Sequence, residues 1–153
     1  GALSLYSPFS FVIRLLSTAE RLNRSVYLLG ARKEDLERAE RNLRGSFRRL
    51  RLVGRFAGYY PKADERDVLL AIRKATPAFL LAADGLPGRE LWVLRRKREL
   101  TPGIALWVGD CFDVFSGRRR SSLLPAEGAS GLFSALRVVV FWLMVLATRV
   151  FRR

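Results

Sequence analysis

Four short, largely apolar runs, each followed within two residues by a glycine, organise the sequence from residue 25 onward. The runs are SVYLL (25–29), LRLV (50–53), FLLAA (79–83) and IALWV (104–108). Segments this short, rich in β-branched and aliphatic residues and bounded by turn residues, are typical of strands. The unbroken run at 79–83 is typical of a parallel strand that is buried on both faces.

The three segments between these runs have the residue spacing of helices. They are residues 34–44, 64–75 and 89–100. Gly45 stands where the first helix is expected to end, and Pro77 stops the second. The order β-α-β-α-β-α-β with short connections predicts an α/β fold, a Rossmann-like parallel sheet built from right-handed βα repeats.

The glycines after the strands point to a ligand site. They are Gly30, Gly54, Gly85 and Gly109. In open α/β sheets ligands bind at the carboxyl ends of the strands, and glycine there lets the backbone approach a bound group closely. Compact βα turns would also explain a glycine at any one of these positions. Neither the GxGxxG dinucleotide pattern nor the GxxxxGK[ST] phosphate loop occurs in the sequence.

Charge and residue content restrict the chemistry. The 153 residues include 28 Lys and Arg against 14 Asp and Glu, so either an anionic partner or an Arg-rich source genome accounts for the excess. The lack of histidine excludes histidine bases and ligands, and a single cysteine, Cys111, excludes an internal disulfide and a cysteine zinc site. We expect no metal, no cofactor, a buried Cys111 and, without nucleic-acid-binding motifs, no nucleic-acid partner.

Four ordered blocks carry a resemblance to a known family. They are VYLLG (26–30), VGRFAGYY (53–60), LPGRELW (86–92) and VGDCFDVFSGRRR (108–120). In this order and spacing they resemble the WecG/TagA/CpsF family of bacterial glycosyltransferases. The resemblance implies transfer of N-acetylmannosamine or a related sugar from a UDP donor to an undecaprenyl-diphosphate-linked acceptor. The implied products are intermediates of wall teichoic acid, enterobacterial common antigen or capsule.

The resemblance and the strand-end glycines together give the candidate substrate-binding residues. These are Gly30, Gly58, Tyr59, Gly85, Pro87, Arg89, Glu90, Gly109, Asp113 and Arg118. The resemblance places Gly85, Pro87 and Glu90 in a loop and helix start that line the sugar-nucleotide site. Free amides at that helix start would bind a phosphate or a sugar hydroxyl.

Other roles are open for several of these side chains. Glu90 would also stabilise the helix dipole from the first turn. Tyr59 suits the face of a base or a sugar but needs no ligand to explain it. We expect Asp113 to cap the segment after the fourth strand and Trp92 to pack in the core.

The sequence departs from the family pattern at several positions. Gly88 and Arg89 stand at the Lys and Gln positions of the signature, Asp110 replaces a small residue, and three arginines follow Gly117 in place of Arg-Ala-Pro. No residue matches the family's proposed catalytic aspartate, so the catalytic residues are unknown. The sequence therefore predicts a UDP-sugar-dependent glycosyltransferase domain or, alternatively, an inactive fragment or divergent homologue that binds an anion or a nucleotide.

The C-terminal region differs in composition from the rest of the chain. We expect an α/β domain over 1–120, with the family match starting at about residue 25, then a linker over 121–131 and an apolar, basic helix over 132–153. Its longest apolar stretch is shorter than the about 20 residues that span a bilayer. The helix is expected to bind the anionic cytoplasmic face of the cell membrane peripherally, with packing on the domain as the alternative. The oligomeric state is left open, a homo-oligomer included.

Overall fold

The computed structural model describes residues 8–100 and 103–119. The strands are β1 (Ser25–Leu29), β2 (Arg51–Phe56), β3 (Phe79–Ala83) and β4 (Ile104–Gly109). The helices are α1 (Pro8–Arg21), α2 (Lys33–Ser46), α3 (Glu65–Ala75), α4 (Leu91–Arg95) and α5 (Cys111–Phe115), and a 3-10 turn, Lys62–Asp64, precedes α3. The linker and C-terminal helix predicted for 121–131 and 132–153 lie outside the described residues.

The four strands form one parallel sheet in the order β2-β1-β3-β4. This confirms the predicted Rossmann-like α/β fold. The chain passes from β1 to β2 at one side of the sheet and then returns past β1 to β3. β1 and β3 are therefore neighbours, and the helices that follow them lie on opposite faces. This arrangement opens a crevice at the carboxyl ends of α/β sheets.

Helices cover both faces of the sheet. α1, α2 and α5 cover one face, where Leu16, Leu43 and Phe112 are fully buried. α3 and α4 cover the other face, where Ile72 and Trp92 are buried. Successive residues of β3 enter the two layers in turn. Because both faces of this strand are buried, its sequence is apolar without interruption.

Two of the predicted glycine boundaries are wrong. β2 extends past Gly54, which lies inside the strand because the ring of Tyr27 from β1 packs over its backbone. Gly45 lies within α2, whose end is formed by the amide of Phe47 donating to the carbonyl of Leu43 at 2.8 Å. Packing between strands in the first case, and continued helical hydrogen bonding in the second, override the local sequence signal.

The third predicted helix is much shorter than expected. α4 covers five residues rather than 89–100. Gly88 and Arg89 have φ of +79° and +52°, and a right-handed helix cannot include such residues. α1 and α5 are helices to which the sequence analysis assigned no element. Across the described ranges, no helix combines the length and hydropathy needed to cross a membrane.

Candidate functional site

A cavity of about 430 Å³ opens at the carboxyl edge of the sheet. Its walls come from the loop after β2 and the loop between β3 and α4. The lining residues are Tyr59, Asp84, Gly85, Leu86, Pro87 and Arg89. All but Asp84 and Leu86 are among the residues predicted from the sequence. The volume lies within the range of small-ligand sites, about 300–1,000 Å³.

Backbone hydrogen bonds join the loops after three strands around this cavity. The amide of Gly58 donates to the carbonyl of Ala31 at 2.8 Å, and the amide of Ala31 donates to the carbonyl of Asp84 at 2.6 Å. The amide of Tyr59 donates to the carbonyl of Gly85 at 2.7 Å. The two walls of the cavity are therefore fixed relative to each other by main-chain contacts.

Gly30 and Gly109 support the cavity without lining it. A Cβ on Gly30, where φ is +114°, would lie 2.7 Å from the carbonyl oxygen of Ala83. Gly109 accepts a hydrogen bond from the amide of Asp84 at 3.2 Å. At Gly30 the close approach is to the neighbouring strand rather than to an exposed ligand position, which favours the compact-turn explanation for this glycine.

Three lining residues have backbones in a region that side chains disfavour. Tyr59, Gly85 and Arg89 have φ of +58°, +96° and +52°. For non-glycine residues such conformations cost about 1–3 kcal/mol and concentrate at functional sites. A Cβ on Gly85 would lie 2.6 Å from Cε2 of the Tyr59 ring. The tyrosine ring can therefore occupy its position only because residue 85 lacks a side chain.

Arg89 is the cation at the mouth of the cavity. Its side chain is 74% exposed, with Nη2 3.8 Å from Oδ1 of Asp84 and Nε 3.9 Å from Oε2 of Glu90. Pairs this long and this exposed are weak, so the guanidinium is available to a bound anion. Glu90 itself is exposed and contacts Arg89 but does not line the cavity.

Three amides at the start of the predicted third helix are hydrogen-bonded rather than free. The amides of Arg89, Leu91 and Trp92 donate to the carbonyls of Leu86, Gly88 and Arg89, respectively, at 2.9–3.1 Å. These bonds belong to the tight turn that leads into α4. These three amides are therefore already paired within the chain.

Arg118 and Asp113 meet each other outside the cavity lining. Arg118 Nη2 donates to Oδ2 of Asp113 at 2.6 Å, and its Nη1 lies 3.2 Å from Oδ2 of Asp35. The hydrogen bond to Asp113 is the main cause that raises the pKa of Arg118, and the electrostatic influence of Tyr59 acts in the same direction. The expected cap at Asp113 is wrong because Asp113 lies inside α5, whose N-cap position is Asp110.

One buried and one partly buried acid escaped the sequence analysis. Asp35, in the first turn of α2, is only 5% exposed and binds Arg118. Glu65, at the start of α3, accepts hydrogen bonds from Trp92 and Arg96. Acids in the first turn of a helix are ordinarily explained by the helix dipole, so the sequence carried no sign of these distant partners.

The predictions for the two core residues are confirmed. Trp92 is 1% exposed. Cys111 is 2% exposed, and its burial raises the pKa of the thiol to about 12. Among the side chains in the described residues, no group of three or more metal-ligating residues could hold a metal ion.

Comparison with known proteins shows which protein family this chain resembles. The model of the glycosyl transferase WecG/TagA/CpsF family matches residues 4–122. A curated relative from Bacillus spizizenii (strain ATCC 23059 / NRRL B-14472 / W23), named N-acetylglucosaminyldiphosphoundecaprenol N-acetyl-beta-D-mannosaminyltransferase, is 29% identical over 118 residues. The match covers 74% of this chain and 44% of the relative, so the chain spans less than half the relative's length.

Proposed function

Because the chain belongs to the WecG/TagA/CpsF family of glycosyl transferases, we propose that it binds a UDP-sugar and contributes to sugar transfer. The transferred group is an N-acetylhexosamine-type sugar, and the acceptor is linked to a polyprenyl diphosphate. The reaction serves the synthesis of a cell-envelope polysaccharide. The name of the Bacillus relative, which specifies an N-acetylmannosaminyl group and a diphosphoundecaprenol acceptor, supports this substrate class.

The single observation that carries the proposal is the cavity between Tyr59 and Arg89. It lies within the span that the family model matches, at the carboxyl edge where α/β sheets bind ligands. It brings an aromatic face, a cation and the carboxylate of Asp84 together around one volume. A nucleotide sugar needs these three features: a surface for a ring, a counter-charge for the diphosphate and an acceptor for hydroxyl groups.

We assign each side chain a binding role. Arg89 pairs with the diphosphate, since a guanidinium donates to phosphate oxygens and stays charged at every working pH. Asp84 accepts hydrogen bonds from sugar hydroxyls. Tyr59, whose side chain is largely exposed at the rim, offers a face to the base or the sugar. No residue is assigned as the catalytic base.

Calorimetric titration with UDP and with a UDP-N-acetylhexosamine tests these assignments. We expect both ligands to bind, and Arg89→Met to weaken binding by about tenfold, which corresponds to ~1.4 kcal/mol. Arg44→Met is the matched control, because Arg44 forms an exposed ion pair with Glu40 on α2, away from the cavity. Equal affinities for the two variants would contradict the role of Arg89.

A second candidate function is nucleotide binding without turnover. It is favoured by the departures from the family pattern at Gly88, Arg89 and Asp110 and by the lack of an assigned general base. Lack of a general base typically lowers rates by about 10²–10⁴-fold. We therefore expect a radiolabelled transfer assay on these 153 residues to give little or no product. Robust product would reject this candidate and support the complete reaction.

We also propose that the protein works at the cytoplasmic face of the cell membrane, where a polyprenyl-linked acceptor is anchored. The basis is the apolar and basic composition of residues 132–153. An apolar stretch flanked by arginines suits peripheral binding to anionic lipid.

A further inference from the structure

A partly buried polar cluster lies on the side of the sheet covered by α3 and α4. Glu65, the first residue of α3, has a side chain that is 13% exposed. Its Oε1 accepts a hydrogen bond from Trp92 Nε1 at 2.8 Å, and its Oε2 accepts one from Arg96 Nη2 at 2.6 Å. One carboxylate therefore binds both the middle of α4 and the residue that follows it.

α4 depends on such contacts for its position. A helix of five residues is far too short to be stable by its own hydrogen bonds. Trp92 anchors it in the core, and the bond from the indole to Glu65 fixes the direction of that ring. Residues 84–90, which form one wall of the cavity, run directly into α4. Any shift of α4 is therefore transmitted to this loop.

The same carboxylate also acts on the residue that follows Tyr59. Tyr60 follows Tyr59 in the chain, and its ring packs edge-on against Phe56 with the ring centroids 6.0 Å apart. Burial and the negative charge of Glu65 raise the pKa of Tyr60 to about 12. Glu65 thus acts on the residue next to Tyr59 as well as on α4, although neither Glu65 nor Tyr60 lines the cavity itself.

We propose that Glu65 is a positioning residue that holds the loop at 84–90 in its binding geometry through Trp92 and Arg96. The part of this inference that concerns ligand affinity rests on the proposed function. The part that concerns the loop does not, because the loop geometry exists without ligand. The two parts are therefore measured separately.

The ligand-free test is amide hydrogen exchange on the full chain with Glu65→Leu and Glu65→Gln. The glutamine keeps an oxygen that accepts from the indole but loses the charge that binds Arg96, whereas leucine loses both. We expect the amides of Arg89, Leu91 and Trp92 to exchange about tenfold faster in Glu65→Leu and less so in Glu65→Gln, in the manner of a local opening.

Glu40 provides the matched control. Its side chain is 19% exposed and binds two arginines, Arg44 and Arg55, on the other side of the sheet. Glu40→Leu removes a comparable carboxylate without touching α4, so it should leave exchange in the 84–90 loop unchanged. If Glu65→Leu and Glu40→Leu raise loop exchange equally, or neither raises it, the positioning role is overturned.

The second measurement adds the ligand. UDP affinity should fall by about tenfold in Glu65→Leu, recover partly in Glu65→Gln and stay at the wild-type value in Glu40→Leu. The Trp92 indole N–H resonance should shift in step with the affinity, which general destabilisation would not produce. Faster loop exchange with no UDP binding by the wild-type chain would support the positioning role and reject the proposed ligand. Unchanged UDP affinity in Glu65→Leu, beside wild-type binding, would overturn the role.

Discussion

The two glycines at the ends of β1 and β3 make a direct test of how the carboxyl edge is built. Both have positive φ, +114° at Gly30 and +96° at Gly85. An alanine at either position lowers the free energy of unfolding by the strain of that backbone conformation, about 1–3 kcal/mol. The two sites differ in what the new Cβ would meet. This difference lets the effect of a rigid neighbour be separated from the effect of backbone strain.

At Gly30 the neighbour is main chain. The added Cβ would lie 2.7 Å from the carbonyl oxygen and 2.8 Å from the carbonyl carbon of Ala83, in the central strand β3. Neither atom can move without breaking the sheet, so an overpacking cost of about 1–3 kcal/mol is added to the strain. Gly30→Ala should therefore lose about 2–6 kcal/mol, a large part of a typical stability of about 5–15 kcal/mol.

At Gly85 the nearest neighbour is a side chain, and the only main-chain atom among the three nearest is the Cα of Gly58 at 3.2 Å. The added Cβ would lie 2.6 Å from Cε2 of Tyr59, whose residue surface is 66% exposed. The ring can rotate into solvent and the contact with Gly58 needs a shift of only a few tenths of an ångström, so Gly85→Ala should lose little beyond the backbone strain of about 1–3 kcal/mol. Moving the ring would also remove one wall of the cavity. UDP affinity should therefore fall in this variant by more than its stability loss suggests.

Urea unfolding followed by circular dichroism measures both variants with the same m-value analysis. We expect Gly30→Ala to be the less stable of the two by at least about 1 kcal/mol. Equal losses, or a smaller loss at Gly30, would refute the claim that the β1 and β3 ends are packed backbone against backbone.

Three further predictions concern pH, thiol chemistry and the C-terminal region. Burial raises the pKa of the Cys111 thiol from 9.0 to about 12, so as the pH rises this thiol ionises in the unfolded chain before it does so in the folded chain. Stability should therefore fall as pH rises through the window from about 9 to about 12, by at most ~1.4 kcal/mol per pH unit from this group. In Cys111→Ala the urea concentration at the unfolding midpoint should fall less between about pH 9 and 10, a range below that in which Tyr60 contributes. A pH dependence equal to that of the wild-type chain would contradict this. The native thiol should react with a disulfide reagent at pH 8 only as fast as the protein opens, whereas immediate labelling would contradict its burial. The full chain should sediment with anionic vesicles while a chain ending at Gly131 should not, and equal sedimentation would show that residues 132–153 do not anchor the protein.

The strands were accessible from sequence because their signals are local. An apolar run such as 79–83 indicates burial on two faces by itself, and β3 spans the same residues in the structure. β2 was placed too short because the ring over Gly54 comes from the neighbouring strand. The predicted helix was longer than α4 at both ends. The basic residues after α4 suit a helix end, and the residues just before it form a tight turn with positive φ. Local patterns thus located the elements but not the contacts that end them.

In the candidate site, too, local sequence signals located the loops but not the long-range contacts. The regularity of glycines after strands led to the carboxyl edge, and the loop that contains Gly85 and Arg89 does line the cavity there. Asp35 and Glu65 were missed because their partners, Arg118 and Arg96, are far along the chain. Only the folded topology brings such pairs together, so a single sequence taken by itself gives no signal for them.

The measurement that tests the central claim most directly is a heteronuclear NMR titration of the ¹⁵N-labelled chain with UDP. The account predicts saturable shifts of the amides of Tyr59, Gly85 and Arg89, at the walls of the cavity. A second groove, on α1 and lined by Phe11 and Leu15 among others, serves as the internal reference and should stay unchanged. Absence of shifts at millimolar UDP, or shifts confined to the α1 groove, would contradict the account.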